Sequence, residues 1–474
     1  MPENWLFIAF MGLIIVELVL HRKSSERTSS WLYPLTLGVC VITFFAILNQ
    51  WSYQANGFLF REMLFLDGKA IFFKALIVVA AMVMLLHAWL LKYRFAGEYF
   101  PLLIGMLLGL FLLTMAVNLL MLFLSIEIIS IASYLLTAFQ KDRKSAEGAI
   151  KYALFGTISA AVMLYGMSLL YGLTGTLNFV DPAFTRAIAQ ADSAAVLIAI
   201  LFTVSGFLFK ISAVPFHIWN PDVYESAPTP VVSFFSVAPK AAALLALIRF
   251  LSTVPTNMQQ ILALVAILSL TVGNFSALWQ TNLKRLLAYS SIAQAGFMLV
   301  GLVAFSEAGL KSTVFYVATY LFISMAAFFL VDVLRPIASS ETKADYSLSS
   351  YHGLGQAHPW MGVLVVVVMM GLVGLPLTVG FSAKLFIFSA LYEAYQAQHS
   401  PILLTLLVFG LFNAAVSLFY YLRLPFVMFF RLPDQSNSLP VISWSQQLFA
   451  WALVIPIIVL FFKADWVLNV IATL

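Results

Sequence analysis

Apolar runs of about 20 residues follow one another along this chain from end to end. Each is long enough to cross a ~30 Å hydrocarbon core as a helix. Of the 474 residues, 62% are hydrophobic and 9% charged, against about 25% charged in a soluble domain. A transmembrane barrel would need alternating segments of ~10 residues, and the chain has none. The expected fold class is therefore all-α: a polytopic membrane protein with no soluble domain of any size.

The spans are expected near 4–20, 31–49, 69–91, 101–117, 119–139, 147–172, 194–219 (broken), 227–250, 257–278, 284–303, 310–334, 360–397 (broken), 402–430 and 445–463, about fourteen in all. The first run begins at Trp5, with Glu3 before it and no basic stretch or small-residue cleavage site. It reads as a retained helix and not as a removed signal. Basic residues gather in alternate connections: Arg22, Lys23 and Arg27; Lys92 and Arg94; Lys141, Arg143 and Lys144; Lys284 and Arg285; Arg335 and Lys343; Arg431. By the positive-inside rule these connections are cytoplasmic and both termini lie on the opposite side. The net charge of +5 belongs to these connections and does not indicate a nucleic-acid partner. The one cysteine, Cys40, excludes disulfides, Cys-ligated iron–sulfur clusters and zinc–thiolate sites.

Against this background, four ionisable residues stand inside apolar spans: Glu127, Lys210, Lys240 and Lys384. A charge at the centre of a bilayer costs roughly 2.5–3.5 kcal/mol on insertion scales, and such residues are functional by default. Ser130, Tyr134 and Thr137 share a face with Glu127; a packing role for a protonated carboxyl is the bland alternative. Lys210 precedes Pro215, which removes a backbone donor and breaks the helix. A broken helix in lipid is tolerated only where protein or water covers it. A carboxylate near a buried lysine favours its charged form, and moving that carboxylate away releases the proton. Lys240 follows Pro239, with Ser233 and Ser236 on its face, and Lys384 follows the Pro376 break. Snorkelling to the interface competes with function at Lys151, close to its helix start. At His217 a hydrogen-bonded structural role competes with proton carriage.

Gly206-Phe207-Leu208-Phe209-Lys210 and Gly380-Phe381-Ser382-Ala383-Lys384 share a GFxxK phrase, and the segment from Asn118 weakly resembles that from Asn282, with Glu127 opposite Ser291. Five spans separate each member from its counterpart, and an odd number inverts topology, as in many transporters. Other signals carry nothing. Gly353-Leu354-Gly355-Gln356-Ala357 has no strand before it to make a dinucleotide motif. The six histidines are scattered, and the 43 phenylalanines form no quinone box. Buried lysines and one carboxylate with no redox ligand describe a proton path that cannot itself oxidise anything.

Residues 215–239 read Pro-Phe-His-Ile-Trp-Asn-Pro-Asp-Val-Tyr-Glu-Ser-Ala-Pro-Thr-Pro-Val-Val-Ser-Phe-Phe-Ser-Val-Ala-Pro, with Lys240 next. Together with Ser125-Ile126-Glu127, Lys284 through Ile292 and Gly380 through Lys384, they resemble the antiporter-like proton-translocating membrane subunits of respiratory complex I (NADH:quinone oxidoreductase), most of all the subunit N type. The family pattern is PFHxWxPDVYxGxPTPV, and Ser226 here replaces its usual glycine. The resemblance covers about residues 1–470. It implies fourteen helices with two inverted five-helix repeats, each with a broken helix. The divisions would be a three-helix segment at 1–100, repeats at 101–250 and 257–430, and a C-terminal helix at 445–474.

The resemblance further implies that Glu127 pairs with Lys210 of the broken seventh helix and that Lys240 is the central lysine. Lys384 would be the terminal lysine of the broken twelfth helix, and Lys151 a sixth-helix lysine. It implies no cofactor or metal in this chain; NAD, FMN, iron–sulfur clusters and quinone would belong to partner subunits. The partners would be other antiporter-like and small hydrophobic membrane-arm subunits, in the energy-transducing inner membrane. Three alternatives stay open: a subunit of a multi-subunit sodium/proton antiporter, a related quinone reductase fed by another donor, and a scaffold whose path is dead.

Overall fold

The computed structural model describes residues 1–21, 31–254, 258–338, 346–432 and 437–474. Arg22, Lys23, Arg27 and Lys343 of the expected basic connections lie outside the described residues. The elements in order are α1 (Pro2–His21), α2 (Leu32–Ser52), the hairpin β1 (Gly57–Leu59) and β2 (Leu64–Leu66), α3 (Gly68–Leu90), α4 (Tyr99–Met115), α5 (Leu119–Thr137), α6 (Arg143–Thr174), α7 (Pro182–Gln190), α8 (Ser193–Ile211), α9 (Trp219–Ser226) and α10 (Thr229–Leu251). The second part continues with α11 (Met258–Leu278), α12 (Leu283–Val303), α13 (Glu307–Val333), β3 (Ile337–Ala338), α14 (Leu354–Ala357), α15 (Pro359–Val373), α16 (Val379–Gln398), α17 (Pro401–Phe430), β4 (Asn437–Ser438), α18 (Trp444–Phe462) and α19 (Ala464–Ala472).

Twelve of these helices are long and apolar enough to cross a bilayer, and α4 and α15 are shorter apolar helices. Taking α15 and α16 as halves of one interrupted span gives the expected fourteen. Both breaks fall where proline placed them, but the first is wider than expected. α8 stops at Ile211, the chain is irregular through residue 218, and the acidic Asp222–Glu225 stretch forms a half-helix, α9, not a connection. The second break spans residues 374–378. Left-handed residues stand in both: Ser212 at φ 61° in the first, Gly374 at 83° and Leu377 at 72° in the second. Lys284 and Arg285, read as part of a connection, form the first turn of α12.

The short helix α7 was not anticipated, since it is not long enough to register as a span, and the C-terminal helix expected at 445–474 is two helices, α18 and α19. α7 starts on an Asp181 cap, with Pro182 in its first turn; proline suits that position because its missing N–H would have no partner there.

The chain groups into two compact units. One comprises Met1–Ile211 and Ser226–Pro255, the other Ser212–Glu225 and Thr256–Thr473. In the first, α10 is buried along its length except at Arg249. α6 and α8 lie close because two glycines remove the side chains that would separate them. A Cβ on Gly166 would run into Phe202 and the Thr203 backbone, and one on Gly206 into Met163. Small residues at such contacts are how membrane helices gain close packing without a hydrophobic driving force. In the second unit α12 and α13 form the buried centre.

The two units repeat a local device. Asn118 caps α5 and Asn282 caps α12, each accepting from two backbone N–H groups with its side chain. The residue after each asparagine then donates across to a distant loop, Leu119 to the Leu177 carbonyl at 2.8 Å and Leu283 to the Tyr346 carbonyl at 2.9 Å. The weak resemblance read between these segments thus corresponds to the same capped, bridged helix start.

Candidate functional site

In the first unit, Glu127 sits half-buried on α5 and Lys210 is buried in the last turn of α8. The two interact electrostatically, but the Lys210 ammonium makes no hydrogen bond among the described residues. What surrounds it is aromatic: Nζ lies 5.9 Å from the Tyr152 ring centre and 5.7 Å from that of Phe209. Tyr152 of α6 in turn packs edge-on against Tyr134 of α5 at 4.8 Å. The expected polar stripe on α5 is turned inward on its own helix. Ser130 donates to the Ile126 carbonyl at 2.6 Å and Thr137 to that of Ser133 at 2.8 Å. Of the stripe, only the Tyr134 ring reaches a residue that faces the lysine.

Lys240 is buried on α10, one residue after Pro239. Proline has no N–H, so the carbonyl one turn earlier is freed. Ser233 and Ser236, expected on the lysine's face, donate to the carbonyls of Pro230 and Ser233 at 2.7 and 2.6 Å. Lys151 stands apart from these lysines, its side chain 41% exposed and paired with Glu147 at 2.8 Å. That is the ordinary Glu-before-Lys pair on a helix surface.

In the second unit, Lys384 of α16 is buried and donates to the Leu372 and Val373 carbonyls at 3.1 and 2.6 Å. These are last-turn carbonyls of α15, which have no partner within their own helix. An ammonium there also meets the negative end of the half-helix dipole. The Phe297 ring lies 4.2 Å away on another side. Gly374 makes the seat by ending α15 at φ 83°, where a Cβ would stand 2.7 Å from Lys384 Cδ. Gly374→Ala is expected to cost about 1–2 kcal/mol for the left-handed backbone and to push the lysine off its carbonyls. Proton translocation should fall further than thermal stability does; an unchanged translocation rate would remove the carbonyl seat from the mechanism.

His217 lies half-buried in the first break, and its Nδ1 has no hydrogen-bond partner among the described residues. The backbone freed by this break is caught by side chains: Val214 N–H donates to Ser269 Oγ at 2.9 Å. The acidic α9 is clamped to α12. Arg285 donates to Asp222 and to Glu225, both at 2.8 Å, and Asn220 donates to the Ala288 carbonyl at 3.2 Å. The two motifs that carried the resemblance thus hold each other in place. Arg285→Met leaves two carboxylates facing one another; with partly exposed pairs the expected loss is about 1–2 kcal/mol. A lowered melting temperature, half-recovered by Arg285→Lys, would check it.

Three groups of buried charge or polarity escaped the reading of the sequence. Lys74 of α3 is wholly buried and paired with Glu3 of α1, with Met115 Sδ at 3.0 Å. Arg249, at the end of α10, pairs with Asp67, the cap of α3. Gln294 of α12 bonds to three neighbouring helices. Lys74 carried the same signal as Lys210, an ionisable residue within an apolar run; its nearness to the start of the run hid it.

Residues 116–410 match the family described as NADH:quinone oxidoreductase/Mrp antiporter, transmembrane. The NADH-quinone oxidoreductase subunit N of Chlorobium chlorochromatii is 38% identical over 455 residues, covering 92% of this chain and 86% of that one. A chain in the structure of respiratory complex I from Thermus thermophilus superposes with a TM-score of 0.84 at 29% identity, over 100% of both chains. A chain of the Mrp complex from Dietzia shares the fold, with a TM-score of 0.85 at 17% identity over 100% of this chain and 96% of that one. By its sequence over residues 116–410, and by relatives that match it almost throughout, this chain belongs to the NADH:quinone oxidoreductase/Mrp antiporter family of membrane subunits.

Proposed function

We propose that this chain is a proton-translocating membrane-arm subunit of an NADH:quinone oxidoreductase, the subunit N type. Its part in the enzyme is that of a translocase without redox chemistry. The observation that carries this is the Lys210 ammonium, buried without a hydrogen bond yet within electrostatic reach of the Glu127 carboxyl. A group so placed gains or loses a proton when the carboxyl's charge or position changes. Glu127, Lys210, Lys240 and Lys384 carry the proton in this reading, with Lys151 and His217 as supporting groups. Redox energy released in partner subunits drives the change at Glu127. NAD, FMN, iron–sulfur clusters and quinone reside in those partners, and this chain holds no cofactor. The chain lies in the energy-transducing inner membrane, with Lys141 and the start of α6 at Arg143 and Lys144 cytoplasmic and both termini opposite.

A sodium/proton antiporter subunit is the second reading, favoured by the fold shared with the Mrp complex. The test is to extract the native membrane in mild detergent and identify what co-purifies. Flavin- and iron–sulfur-bearing subunits with NADH:quinone activity support the proposal. The same peripheral arm without an NADH-oxidising module points to another donor. Small hydrophobic partners alone overturn the proposal in favour of the antiporter.

A further inference from the structure

The two capped helices α5 and α12 differ at the positions that matter most. Nine residues after Asn118 stands Glu127, and nine after Asn282 stands Ser291. Twelve residues after each cap stand Ser130 and Gln294. The second unit has therefore lost the carboxyl and gained an amide one turn further on. Among the described residues Ser130 bonds within its own helix, to Ile126 and Tyr134. Gln294, buried like Ser130, reaches outward.

Its Nε2 donates to the Leu372 carbonyl at 3.1 Å and to Tyr421 Oη at 3.1 Å. Its Oε1 accepts from the Tyr316 hydroxyl. A peptide carbonyl can only accept, so the nitrogen must face Leu372 and the amide has one orientation. Tyr421 continues the network to Ser290. The Leu372 carbonyl is thus shared: Lys384 also donates to it, at 3.1 Å. A small cavity of about 10 Å³ is lined by Leu372 together with Gln294, Tyr316, Tyr320, Gly380 and Ala383, close to the room one water needs.

We propose that Gln294 is a positioning residue for Lys384: it holds the Leu372 carbonyl so that the lysine can leave its seat and return to it. A carbonyl oxygen has two lone pairs, and here each has a donor. When Lys384 withdraws, Leu372 keeps the bond from Gln294, and one buried acceptor fewer is left without a partner. Without the amide, each departure strands both carbonyls, and the lysine stays docked. In the first unit a carboxyl acts directly on its lysine; in the second, a neutral amide fixed by Tyr316 and Tyr421 acts through a backbone oxygen. This inference rests on the reading of Lys384 as a proton carrier.

The test uses the whole complex in proteoliposomes, with protons moved per electron pair and the amount of assembled complex as readouts. The variants are Gln294→Met, Gln294→Leu, Lys384→Met and the double variant Gln294→Met with Lys384→Met. Gln294→Met is expected to assemble and to translocate several-fold less well. The double variant should be no worse than Lys384→Met alone, because the glutamine acts through the lysine. If Gln294→Met fails to assemble, Gln294→Leu, which offers Leu372 no donor in any protonation state, should show the same loss. Wild-type translocation by an assembled Gln294 variant, beside a defective Lys384→Met, overturns the role of Gln294 alone. A double variant with the two losses multiplied shows a packing role and overturns it too. Wild-type translocation by Lys384→Met overturns the underlying reading, and this inference with it.

Discussion

Lys210→Met is expected to stop proton movement through the first half of the chain while leaving the protein as stable as before, or more so. The two effects have different origins. A buried ammonium without a hydrogen bond gives back little of the solvation it lost on leaving water. Its compensation is the attraction of a carboxyl that does not touch it and the faces of Tyr152 and Phe209. Methionine has nearly the same length, packs against aromatic rings and carries no charge to desolvate. Replacement of buried charge by a well-packed apolar side chain is often neutral or stabilising by about 1–4 kcal/mol. The proton site is lost all the same. Protons per electron pair in vesicles and the melting temperature of the purified complex read the two effects separately. A wild-type proton ratio would take Lys210 out of the path; a large drop in melting temperature would mean that its role is structural.

Glu3→Gln should do the reverse, with a large cost in stability and little direct effect on the proposed path. Glu3 and Lys74 form an ion pair in which the lysine is completely buried and the glutamate is 12% exposed. Met115 and the Phe111 ring also flank the lysine, and the attraction it feels from Asp67 is opposed by Arg249, so nothing replaces the Glu3 carboxylate. Removal of one partner from a buried pair costs about 3–5 kcal/mol, because the other is left charged and alone. Removal of both, as Glu3→Gln with Lys74→Met, should return most of that loss. A double-mutant cycle on melting temperature measures the coupling. Additive single effects would show that the pair contributes nothing as a pair. The pair ties α1 to α3, so the loss should appear as easier proteolysis near the N-terminus before any change in proton ratio.

The lysine positions were legible because hydropathy is a local property: a single charge in an apolar run stands out without knowledge of its neighbours. The breaks were legible for the same reason, since proline acts on the backbone of its own turn. Lys151 shows the limit. Its residue type and helix matched the proton-carrying pattern, yet it lies on the surface with Glu147, because only the packing of α6 decides which of its faces is covered. The acidic Asp222-Val223-Tyr224-Glu225 stretch was read as a signature in a connection; it is a half-helix whose two acids both pair with Arg285.

By itself the chain's pattern of apolar runs, prolines and isolated charges determined the class, the fourteen spans, the two interruptions and which spans carry Lys210, Lys240 and Lys384. Those follow from what lipid demands of a backbone, one segment at a time. The tertiary structure alone decided what each charge faces: two carbonyls for Lys384, one of them shared with Gln294, aromatic rings and an electrostatically coupled carboxyl for Lys210, and Glu3 for Lys74. Such partners come from helices far apart in sequence, 71 residues for Lys74 and Glu3 and 182 for Arg249 and Asp67. Apolar helix faces are nearly interchangeable in composition, so which of them meet is set by close packing at small residues such as Gly166, Gly206 and Gly374.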